Sequence, residues 1–421
     1  MVNNYLIIEQ SRPLVGQGIL AGAKNAVLVI MASLLLTRGS SRLHNVPNSD
    51  DVFQMIDLLK HLGVSVSFDS NSGVLDIDTS SLEHCVVHPD SMKRMRASIL
   101  VLGPLLARYG YAKFVQPGGC VLGIRPIDFH LKAFIKMGIK LEQEGDLLLA
   151  QVDKLKPGKF VLEYPSVGAT ENILMAAVLT PGVTRIINAA LEPEVFDLIS
   201  VLRKMGACIT LNHPATIEIE GVNELRPIDH EIMVDRLEAG TILLAVAVTK
   251  GSITIPQAPA YSMEVFLEKL NEMGHSVEIG AQGVGVSLRA AANPKAVSFK
   301  TMPYPGFPTD LQAPMMVAQC LASGVSVIHE TVFENRLVHV RELQKMGANI
   351  TTDGTTAYVK GVDELQGTQV VATDIRACAA LLIAGLAARG KTVMSGIRHL
   401  RRGYQGLESK LRALGATIAS E

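Results

Sequence analysis

The sequence predicts an α/β protein of two similar domains that share six copies of one structural unit. Three observations lead to this prediction. The chain has 421 residues, which is too long for a single hydrophobic core. A short phrase that ends in glycine recurs six times, and an apolar helix pattern precedes each copy of that phrase.

The recurring phrase is an apolar residue, two variable residues, Met or Leu, and then glycine. It comes at the end of a leucine-rich helical pattern each time, where a glycine favours the left-handed conformation that terminates a helix. The intervals between the glycines are 68 to 75 residues. The six glycines are Gly63, Gly138, Gly206, Gly274, Gly347 and Gly415.

A second helix pattern, rich in Ala and Leu, begins each copy, and a short β-branched run follows it. The predicted helices are 25–36, 97–107, 171–179, 239–248, 312–322 and 377–388. The unit is therefore strand, helix, strand, helix, strand, strand (βαβαββ), with three copies in each domain. Because these first helices are mostly apolar, we expect them inside each domain, with the sheets outside. A solenoid is the alternative, but solenoid units are shorter.

The repeats also suggest where the domains divide. We expect a first domain at 24–233, and a second domain that combines 1–23 with 234–421. The segment before Lys24 holds an incomplete strand and the last copy stops early, so the two chain ends should complete the second domain together. The chain would cross between domains near 22–24 and 233–235.

Composition excludes several classes of function. Hydrophobic residues make up 48% and charged residues 19%, as expected for a folded chain, and the net charge of −1 gives no general attraction to nucleic acid or acidic membranes. We expect no secretory signal at 1–12, and the longest apolar run, 26–36, is too short to span a bilayer. Five cysteines without paired or zinc-like spacing indicate reduced thiols in the cytoplasm and no metal.

The segment 117–125 reads Pro-Gly-Gly-Cys-Val-Leu-Gly-Ile-Arg. Its glycines allow a ligand to approach the backbone, and Arg125 would favour the thiolate of Cys120 and attract an anion. The alternative is a surface turn with an incidental cysteine. The other cysteines have plainer settings: Cys320 and Cys378 are predicted in the core, and Cys85 and Cys208 in strands.

Unusual polar residues cluster at the starts of the first helices. A helix start presents N–H groups and partial positive charge, which suit phosphate and carboxylate. Threefold packing would gather three such starts in each domain, and two facing domains would line one cleft with six. Each arginine alone has an alternative role in a surface ion pair. The residues are Lys24, Asn25, Arg96, Ser166 to Thr170, Asp235, Arg236, Asp310 and Arg376.

Asp310 follows a proline-rich bend at 304–309. It is either a general base or the N-cap of the following helix, or both. Glu334 and Arg336 are predicted to form a structural ion pair. The segment 16–24 lacks the spacing of a nucleotide-binding phosphate loop, and the dinucleotide fingerprint is absent as well.

Several motifs resemble the UDP-N-acetylglucosamine enolpyruvyl transferases, or 1-carboxyvinyltransferases, of the enolpyruvyl transferase family. The resemblance runs from near residue 7 to the end of the chain. The cysteine loop is its specific part, because the sister enzyme of the shikimate pathway shares the fold but lacks that loop. The motifs are 22–26, Met95–Ser98, 117–126, 166–170, 307–310, 333–336, 372–377 and 402–404.

The resemblance implies two inside-out α/β barrel domains. It implies transfer of the enolpyruvyl group of phosphoenolpyruvate to the 3-hydroxyl of UDP-N-acetylglucosamine by addition and elimination, with release of phosphate. This is the first committed step of peptidoglycan synthesis, in the cytoplasm, and it uses no cofactor. Domain closure would exclude water from the intermediate. Nucleic acid and membrane insertion have no part in it.

By the same resemblance, Cys120 is the proton donor to the vinyl carbon and the site of a thioether-type adduct, and Asp310 accepts the proton of the sugar hydroxyl. Lys24 and Arg402 are also implied in catalysis. The residues implied for phosphoenolpyruvate are Lys24, Asn25, Arg125, Arg376 and Arg402. Those implied for the UDP-sugar are Arg96, Arg125, Pro126, Ile127, Asp128, Phe129, Ser166, Val167, Gly168, Asp310 and Val332.

Two positions depart from the family pattern. Asp50 stands where the family usually has lysine, and Tyr164 where a basic residue is common. Both changes remove positive charge from the expected cleft. Two alternatives therefore remain open at this stage: a non-catalytic paralogue that binds a UDP-sugar, and an enolpyruvyl transferase with a different acceptor.

Overall fold

The computed structural model describes residues 5–82, 84–116 and 127–420. These residues form two compact units. The terminal unit contains the described residues up to 21 and from 234 onwards, and the central unit contains those from 22 to 233. Each unit is described by itself below.

The strands of the described ranges are short, mostly of three to five residues. They are β1 (Tyr5–Glu9), β2 (Val15–Gln17), β3 (Ser40–His44), β4 (Ser65–Asp69), β5 (Val74–Asp78), β6 (Tyr111–Val115), β7 (Lys140–Glu144), β8 (Leu147–Gln151), β9 (Lys159–Val161), β10 (Val183–Ile187), β11 (Cys208–Asn212), β12 (Thr216–Glu220), β13 (Asp229–Glu231), β14 (Ser252–Pro259), β15 (Ser276–Ile279), β16 (Val284–Arg289), β17 (Phe299–Lys300), β18 (Val325–His329), β19 (Asn349–Asp353), β20 (Thr356–Lys360), β21 (Gln369–Val371), β22 (Lys391–Ser395) and β23 (Ile418–Ser420).

The helices alternate with these strands. They are α1 (Lys24–Ser33), α2 (Asp50–His61), α3 (Pro89–Arg94), α4 (Leu102–Tyr109), α5 (Asp128–Lys136), α6 (Val167–Ala177), α7 (Pro193–Met205), α8 (Arg236–Val248), α9 (Glu264–Glu272), α10 (Gln312–Cys320), α11 (Val340–Lys345), α12 (Ile375–Ala387), α13 (Arg398–Gly403) and α14 (Leu407–Ala413). Short 3₁₀ segments lie at Leu34–Leu36, Arg96–Val101, Ala260–Ser262, Ala281–Gly283, Thr309–Leu311 and Arg336–His339.

The sheets confirm the βαβαββ unit. In the sheet β9-β10-β12-β11, the first two strands are parallel and the remaining pairs are antiparallel. The same order recurs in β13-β3-β5-β4, β2-β14-β16-β15 and β17-β18-β20-β19. The sheet β6-β8-β7 has a parallel bridge between Val86 and Lys113 in place of a first strand. Three sheets belong to each unit, as three copies per domain require.

Segments next to the points where the chain passes from one unit to the other supply strands to distant copies. β13 pairs in parallel with β3 in the central unit, and β2 pairs in parallel with β14 in the terminal unit. At the chain ends, β1 lies between β22 and β23 and is antiparallel to both. The first and last strands of the described chain therefore share one sheet of the terminal unit.

The helices that begin the copies are buried, as their composition predicts. All residues of α8 from Arg236 to Ala247 are buried, and so are those of α12 from Arg376 to Leu386. The second helices, such as α2, bury one face only. An all-apolar helix must be covered on every side, so the sheets lie outside it and the prediction of inside-out α/β units is confirmed. Each unit has its own hydrophobic cluster.

The helix predicted at 97–107 differs from expectation. Residues Arg96–Val101 form a 3₁₀ segment, and the α-helix begins only at Leu102. The side chain of Asn172 replaces the usual helical bond between Gly103 and Ile99: its Oδ1 accepts from Gly103 N at 2.9 Å, and its Nδ2 donates to Ile99 O at 3.1 Å. A Cβ at Gly103 would lie 2.6 Å from Asn172 O, so this close approach requires glycine.

The six repeated glycines all have positive φ, between 88° and 110°, which confirms them as helix-terminating residues. Within the described residues, no helix is both long enough and apolar enough to cross a membrane.

A different glycine repeats at the end of the last strand of a copy. Gly221 N donates to Gly182 O, and Gly361 N donates to Gly324 O in the equivalent turn of the terminal unit. A Cβ at Gly221 would lie 1.7 Å from Thr180 O.

We therefore expect Gly221→Ala to lower the free energy of unfolding by about 3 kcal/mol or more, because backbone must shift to admit the methyl group. The matched control is Gly158→Ala in the same unit, where the nearest atom to an added Cβ is 3.8 Å away. Urea unfolding of both variants measures the difference. Equal stabilities would contradict the steric argument.

Candidate active site

Three helix starts meet in the terminal unit. Asp235 caps α8, Asp374 caps α12, and Asp310 lies in the 3₁₀ segment that leads into α10. The helices α8, α10 and α12 pack against one another. The charge of Asp235 also acts on Arg376 and Tyr404, which places the three starts at the same end of the helix group.

Two buried arginines hold the carboxylate of Asp310. Arg336 Nη2 donates to Asp310 Oδ1 at 2.6 Å, and Arg376 Nη2 donates to Asp310 Oδ2 at 2.7 Å. Arg336 Nη2 also donates to Thr309 O at 3.2 Å. The Asp310 side chain is 26% exposed, whereas those of Arg336 and Arg376 are 3% and 6% exposed. The carboxylate is thus oriented from within the protein while part of it reaches solvent.

Arg376 remains charged despite its burial. Burial alone lowers its pKa, but the neighbouring side chains of Asp310, Tyr404 and Asp235 together raise the pKa above the ordinary value. Its Nη1 donates to the hydroxyl of Tyr404 at 2.8 Å. The sequence predicts Arg376 in an anion site, and the structure brings it together with Asp310.

Glu330 is a buried carboxylate that sequence analysis missed. It accepts from Thr309 Oγ1 at 2.9 Å, Val332 N at 2.8 Å and Phe333 N at 3.1 Å. It therefore ties the segment that contains Val332 to the residue before Asp310. A lone glutamate after a strand carries no sequence signal for such a role.

The predicted ion pair between Glu334 and Arg336 is wrong. Arg336 pairs with Asp310 instead, and nowhere in the described ranges does an ion pair join it to Glu334. Arg336 is buried in its 3₁₀ segment, whereas Glu334 is exposed, so neighbours in sequence point into different environments.

Arg402 lies in α13, two residues before Tyr404, and is half-buried. Its charge helps to lower the pKa of His399, after burial and the charge of Arg398. The cation is thus on the same short segment as the tyrosine that contacts Arg376.

In the central unit, the first residue of α1 approaches the first turn of α2. Lys24 Nζ lies 3.4 Å from Asp51 Oδ2, and both side chains are largely buried. Asn25 is exposed beside Lys24. Asp50, one of the two departures from the family pattern, is the first residue of α2, where the helix dipole favours negative charge.

His130 and Asn172 join three other segments of the central unit. Asn172 Nδ2 lies 2.8 Å from His130 Nδ1, and the charge of Arg96 acts on the imidazole. A Cβ at Gly168 would lie 3.2 Å from His130 Cε1. The structure therefore gathers Arg96, the start of α5 and the start of α6 around one histidine.

The imidazole of His130 is neutral at pH 7. Burial lowers its pKa to about 4, with a further lowering from Arg96 that Asp128 partly opposes. Asn172 uses its amide nitrogen as donor, so His130 Nδ1 accepts and the ring proton is on Nε2.

The start of α6 carries the other predicted residues of this unit. Ser166 caps the helix by accepting from Ala169 N at 3.4 Å, and Val167 and Gly168 are half-buried in its first turn. At the start of α5, Asp128 pairs with Lys132 at 3.4 Å, Ile127 is buried, and Phe129 is half-buried. Tyr164 lies just before α6 and is 36% exposed.

Three predicted site residues, Cys120, Arg125 and Pro126, lie outside the described residues. The other four cysteines are free thiols. Burial raises the pKa of Cys320 to about 12 and also raises that of Cys378, as expected for core positions. Cys208 is in β11 as predicted, but Cys85 lies outside the strands, so that prediction is wrong.

Metal binding finds no support in the described part of the chain, which contains no group of three or more His, Cys, Asp or Glu suited to a metal ion.

Comparison with known proteins identifies the class. The family model for EPSP synthase (3-phosphoshikimate 1-carboxyvinyltransferase) matches residues 8–411, and the chain belongs to this family of carboxyvinyltransferases.

Within the family, the chain is similar to UDP-N-acetylglucosamine 1-carboxyvinyltransferases. It is 47% identical to UDP-N-acetylglucosamine 1-carboxyvinyltransferase 1 of Caldanaerobacter subterraneus subsp. tengcongensis over 412 residues, which is 98% of each chain. It is 46% identical to the UDP-N-acetylglucosamine 1-carboxyvinyltransferase of Desulfosudis oleivorans, again over 98% of each chain. The resemblance seen in the sequence is confirmed.

Solved structures of enolpyruvyl transferases have the same fold as this chain. The enolpyruvyl transferase NikO of Streptomyces tendae matches with a TM-score of 0.90 at 25% identity, over 99% of each chain. EPSP synthase of Acinetobacter baumannii matches with a TM-score of 0.78 at 16% identity over 100% of each chain, which shows the shared fold.

The neutral, buried state of His130 predicts a loss of stability in acid. The folded pKa is about 4 and the ordinary value is 6.5, so between these values the unfolded chain binds a proton that the folded chain does not. Stability is therefore highest above pH 6.5 and falls as the pH drops towards 4.

We expect the wild type to lose about 2 kcal/mol more than His130→Gln in free energy of unfolding between pH 7.5 and pH 5. Urea unfolding at the two pH values measures this. His84→Gln, an exposed histidine of the same unit, is the control and should behave as wild type. Equal losses in wild type and His130→Gln would refute the assignment.

Proposed function

We propose that this chain transfers the enolpyruvyl group of phosphoenolpyruvate to the 3-hydroxyl of UDP-N-acetylglucosamine and releases phosphate. The observation that carries the proposal is the Asp310 carboxylate, partly exposed and held by one buried arginine at each oxygen. The family membership and the 46–47% identity to transferases named for this acceptor support it.

Asp310 is the acceptor of the sugar hydroxyl proton. Its two oxygens are fixed by Arg336 and Arg376, so a hydroxyl group that reaches the exposed part of the carboxylate meets it in one orientation. Fixed orientation of a base can contribute about 10²–10⁴-fold to the rate.

Positively charged side chains bind phosphoenolpyruvate, the donor of the enolpyruvyl group. Phosphoenolpyruvate carries a phosphate and a carboxylate, and Lys24, Arg125, Arg376 and Arg402 offset their charge, with Asn25 adding a neutral donor. Lys24 is the first residue of α1, where the helix dipole adds to its charge. Arg402 lies close in sequence to Tyr404, which contacts Arg376. Positive charge on these side chains stabilises the charge of the departing phosphate.

We assign the UDP-sugar to residues near His130 in the central unit, and separately to Asp310 and Val332. The start of α6 offers backbone N–H groups to a diphosphate, and Arg96 adds a positive charge. Val332 is held by Glu330 in a fixed loop. The binding residues are Arg96, Arg125, Pro126, Ile127, Asp128, Phe129, Ser166, Val167, Gly168, Asp310 and Val332.

The reaction is an addition followed by an elimination. The sugar oxygen bonds to C2 of phosphoenolpyruvate as Asp310 takes the hydroxyl proton and Cys120 gives a proton to C3. The intermediate then returns a proton from C3 to the Cys120 thiolate as the C2–O bond to phosphate breaks, which restores the double bond, and the proton on Asp310 leaves with the phosphate. Protons and electron pairs balance without a cofactor.

No observation favours the two alternatives left open by the sequence. Asp50 occupies a helix start, where a carboxylate stabilises the helix locally. We place the reaction in peptidoglycan synthesis and in the cytoplasm, which the four free thiols among the described residues support.

The direct test is an assay of phosphate release with both substrates. The wild type should release phosphate only when phosphoenolpyruvate and UDP-N-acetylglucosamine are both present. Asp310→Asn keeps the shape but removes the proton acceptor, so we expect kcat to fall about 10²–10⁴-fold. Asp363→Asn, an exposed carboxylate of the same unit, is the control and should retain wild-type rates.

Thermal unfolding of both variants separates a catalytic loss from unfolding. A folded Asp310→Asn protein with the wild-type kcat would contradict the role of Asp310. An inactive wild type would contradict the proposed function, and substrate binding without turnover would favour the paralogue.

A second test concerns Cys120. Arg125 follows Cys120 by five residues in the sequence, and a nearby cation favours the reactive thiolate. We therefore expect fosfomycin, a small anionic epoxide, to alkylate Cys120 before the other thiols. Mass spectrometry of the wild type and of Cys120→Ser identifies the labelled residue. Cys208 is exposed and serves as the internal comparison. Earlier labelling of Cys208 or Cys85 would count against the assignment.

A further inference from the structure

A chain of hydroxyl groups anchors Arg376 to the interior of the terminal unit. Arg376 Nη1 lies 2.8 Å from the Tyr404 hydroxyl, which lies 3.0 Å from Thr241 Oγ1. Thr241 Oγ1 in turn lies 2.7 Å from Leu237 O in the preceding turn of α8. The chain runs from α12, through the segment after α13, to the middle of α8.

The direction of each hydrogen bond follows from the available protons. Leu237 O can only accept, so the single proton of Thr241 Oγ1 is used there. Thr241 must then accept from Tyr404, which leaves the tyrosine oxygen as the acceptor for Arg376. Burial keeps the phenol of Tyr404 protonated, since it raises the pKa of the phenol more than Arg376 lowers it.

Arg376 is therefore held at both ends of its guanidinium group. Nη1 is bound by Tyr404 and Nη2 by Asp310, and the guanidinium also lies 5.4 Å from the centre of the Tyr404 ring. The planar group cannot turn at one end without moving at the other. The orientation of Asp310 Oδ2 is thus coupled, through two hydrogen bonds, to a tyrosine that is 28 residues beyond Arg376.

We propose that Tyr404 and Thr241 are positioning residues for the proposed transfer reaction: they fix Arg376 and, through it, the carboxylate of Asp310. The inference rests on the proposed function. A purely structural role is the competing explanation, because Tyr404 and Thr241 are also packed in the core of the terminal unit. A positioning role predicts that removal of the hydroxyl group of Tyr404 or Thr241 lowers kcat, whereas a purely structural role does not.

The central experiment compares Tyr404→Phe with wild type in the phosphate-release assay. Phe fills the same space but leaves Arg376 Nη1 without its acceptor, so the guanidinium and Asp310 lose their fixed position. A displacement near 1 Å can cost about 10²-fold in rate. We expect kcat to fall about 10–100-fold, while KM for UDP-N-acetylglucosamine stays within about threefold, because positioning acts on the chemical step.

Thr241 provides the conservative rescue. Thr241→Val removes the hydroxyl that accepts from Tyr404 and should lower kcat in the same direction, whereas Thr241→Ser keeps that hydroxyl and should restore it. Thr392→Val is the matched control: this threonine is equally buried in the terminal unit, and its hydroxyl has no hydrogen-bond partner among the described residues. It should leave kcat unchanged.

A double-mutant cycle distinguishes positioning from general loosening of the core. If Tyr404 acts through Arg376, then Tyr404→Phe should change kcat less than about twofold when Arg376→Ala is already present. An equal effect of Tyr404→Phe in both backgrounds would overturn the proposal, and so would a wild-type kcat in Tyr404→Phe. Should Tyr404→Phe fail to fold, the Val and Ser variants of Thr241 decide: equal kcat values in these two would overturn it.

The assay of the wild type comes first and tests the proposed function separately. Absence of turnover there contradicts the proposed function itself. Turnover in the wild type with no effect of the Tyr404 and Thr241 variants contradicts only the positioning role.

Discussion

The architecture depends on one constraint: the first helices of the copies are mostly apolar and must be covered on nearly every side. In the terminal unit this brings α8, α10 and α12 together, and with them the polar residues at their starts. Burial of these apolar helices therefore determines where the charged residues at their starts come together. The hydrophobic effect does not act on those charges directly. The sheets, which have one buried face, form the outer layer.

The charges at the start of these helices are acceptable because they compensate one another. A buried arginine without a partner would cost several kcal/mol. Arg336 and Arg376 instead share the carboxylate of Asp310, and Arg376 has a further acceptor in Tyr404. The result is an oriented carboxylate with a partly exposed surface. Such preorganised charge suits a reaction that moves both a proton and a phosphate.

At the starts of α5 and α6, the central unit has uncharged buried groups instead. There the buried groups His130 and Asn172 are neutral, and Ser166 caps the helix that follows. Asn172 also replaces a helical hydrogen bond between Gly103 and Ile99, which fixes the segment that begins with Arg96. Neutral donors and helix starts suit a ligand that brings its own negative charge. The two units share a fold but differ in the electrostatics of their helix starts.

The repeat, the helix-terminating glycines, the buried first helices and the family resemblance could all be predicted from the sequence, because these depend on local periodicity and on residue type. The sequence also singled out Asp310 and Arg376, since each stands at a helix start. Tertiary structure alone decided their partners. Arg336 binds Asp310 rather than the nearby Glu334. Tyr404 forms a hydrogen bond with Thr241, which is 163 residues away in the sequence. Such contacts have no sequence period, because they arise only when separate elements pack together.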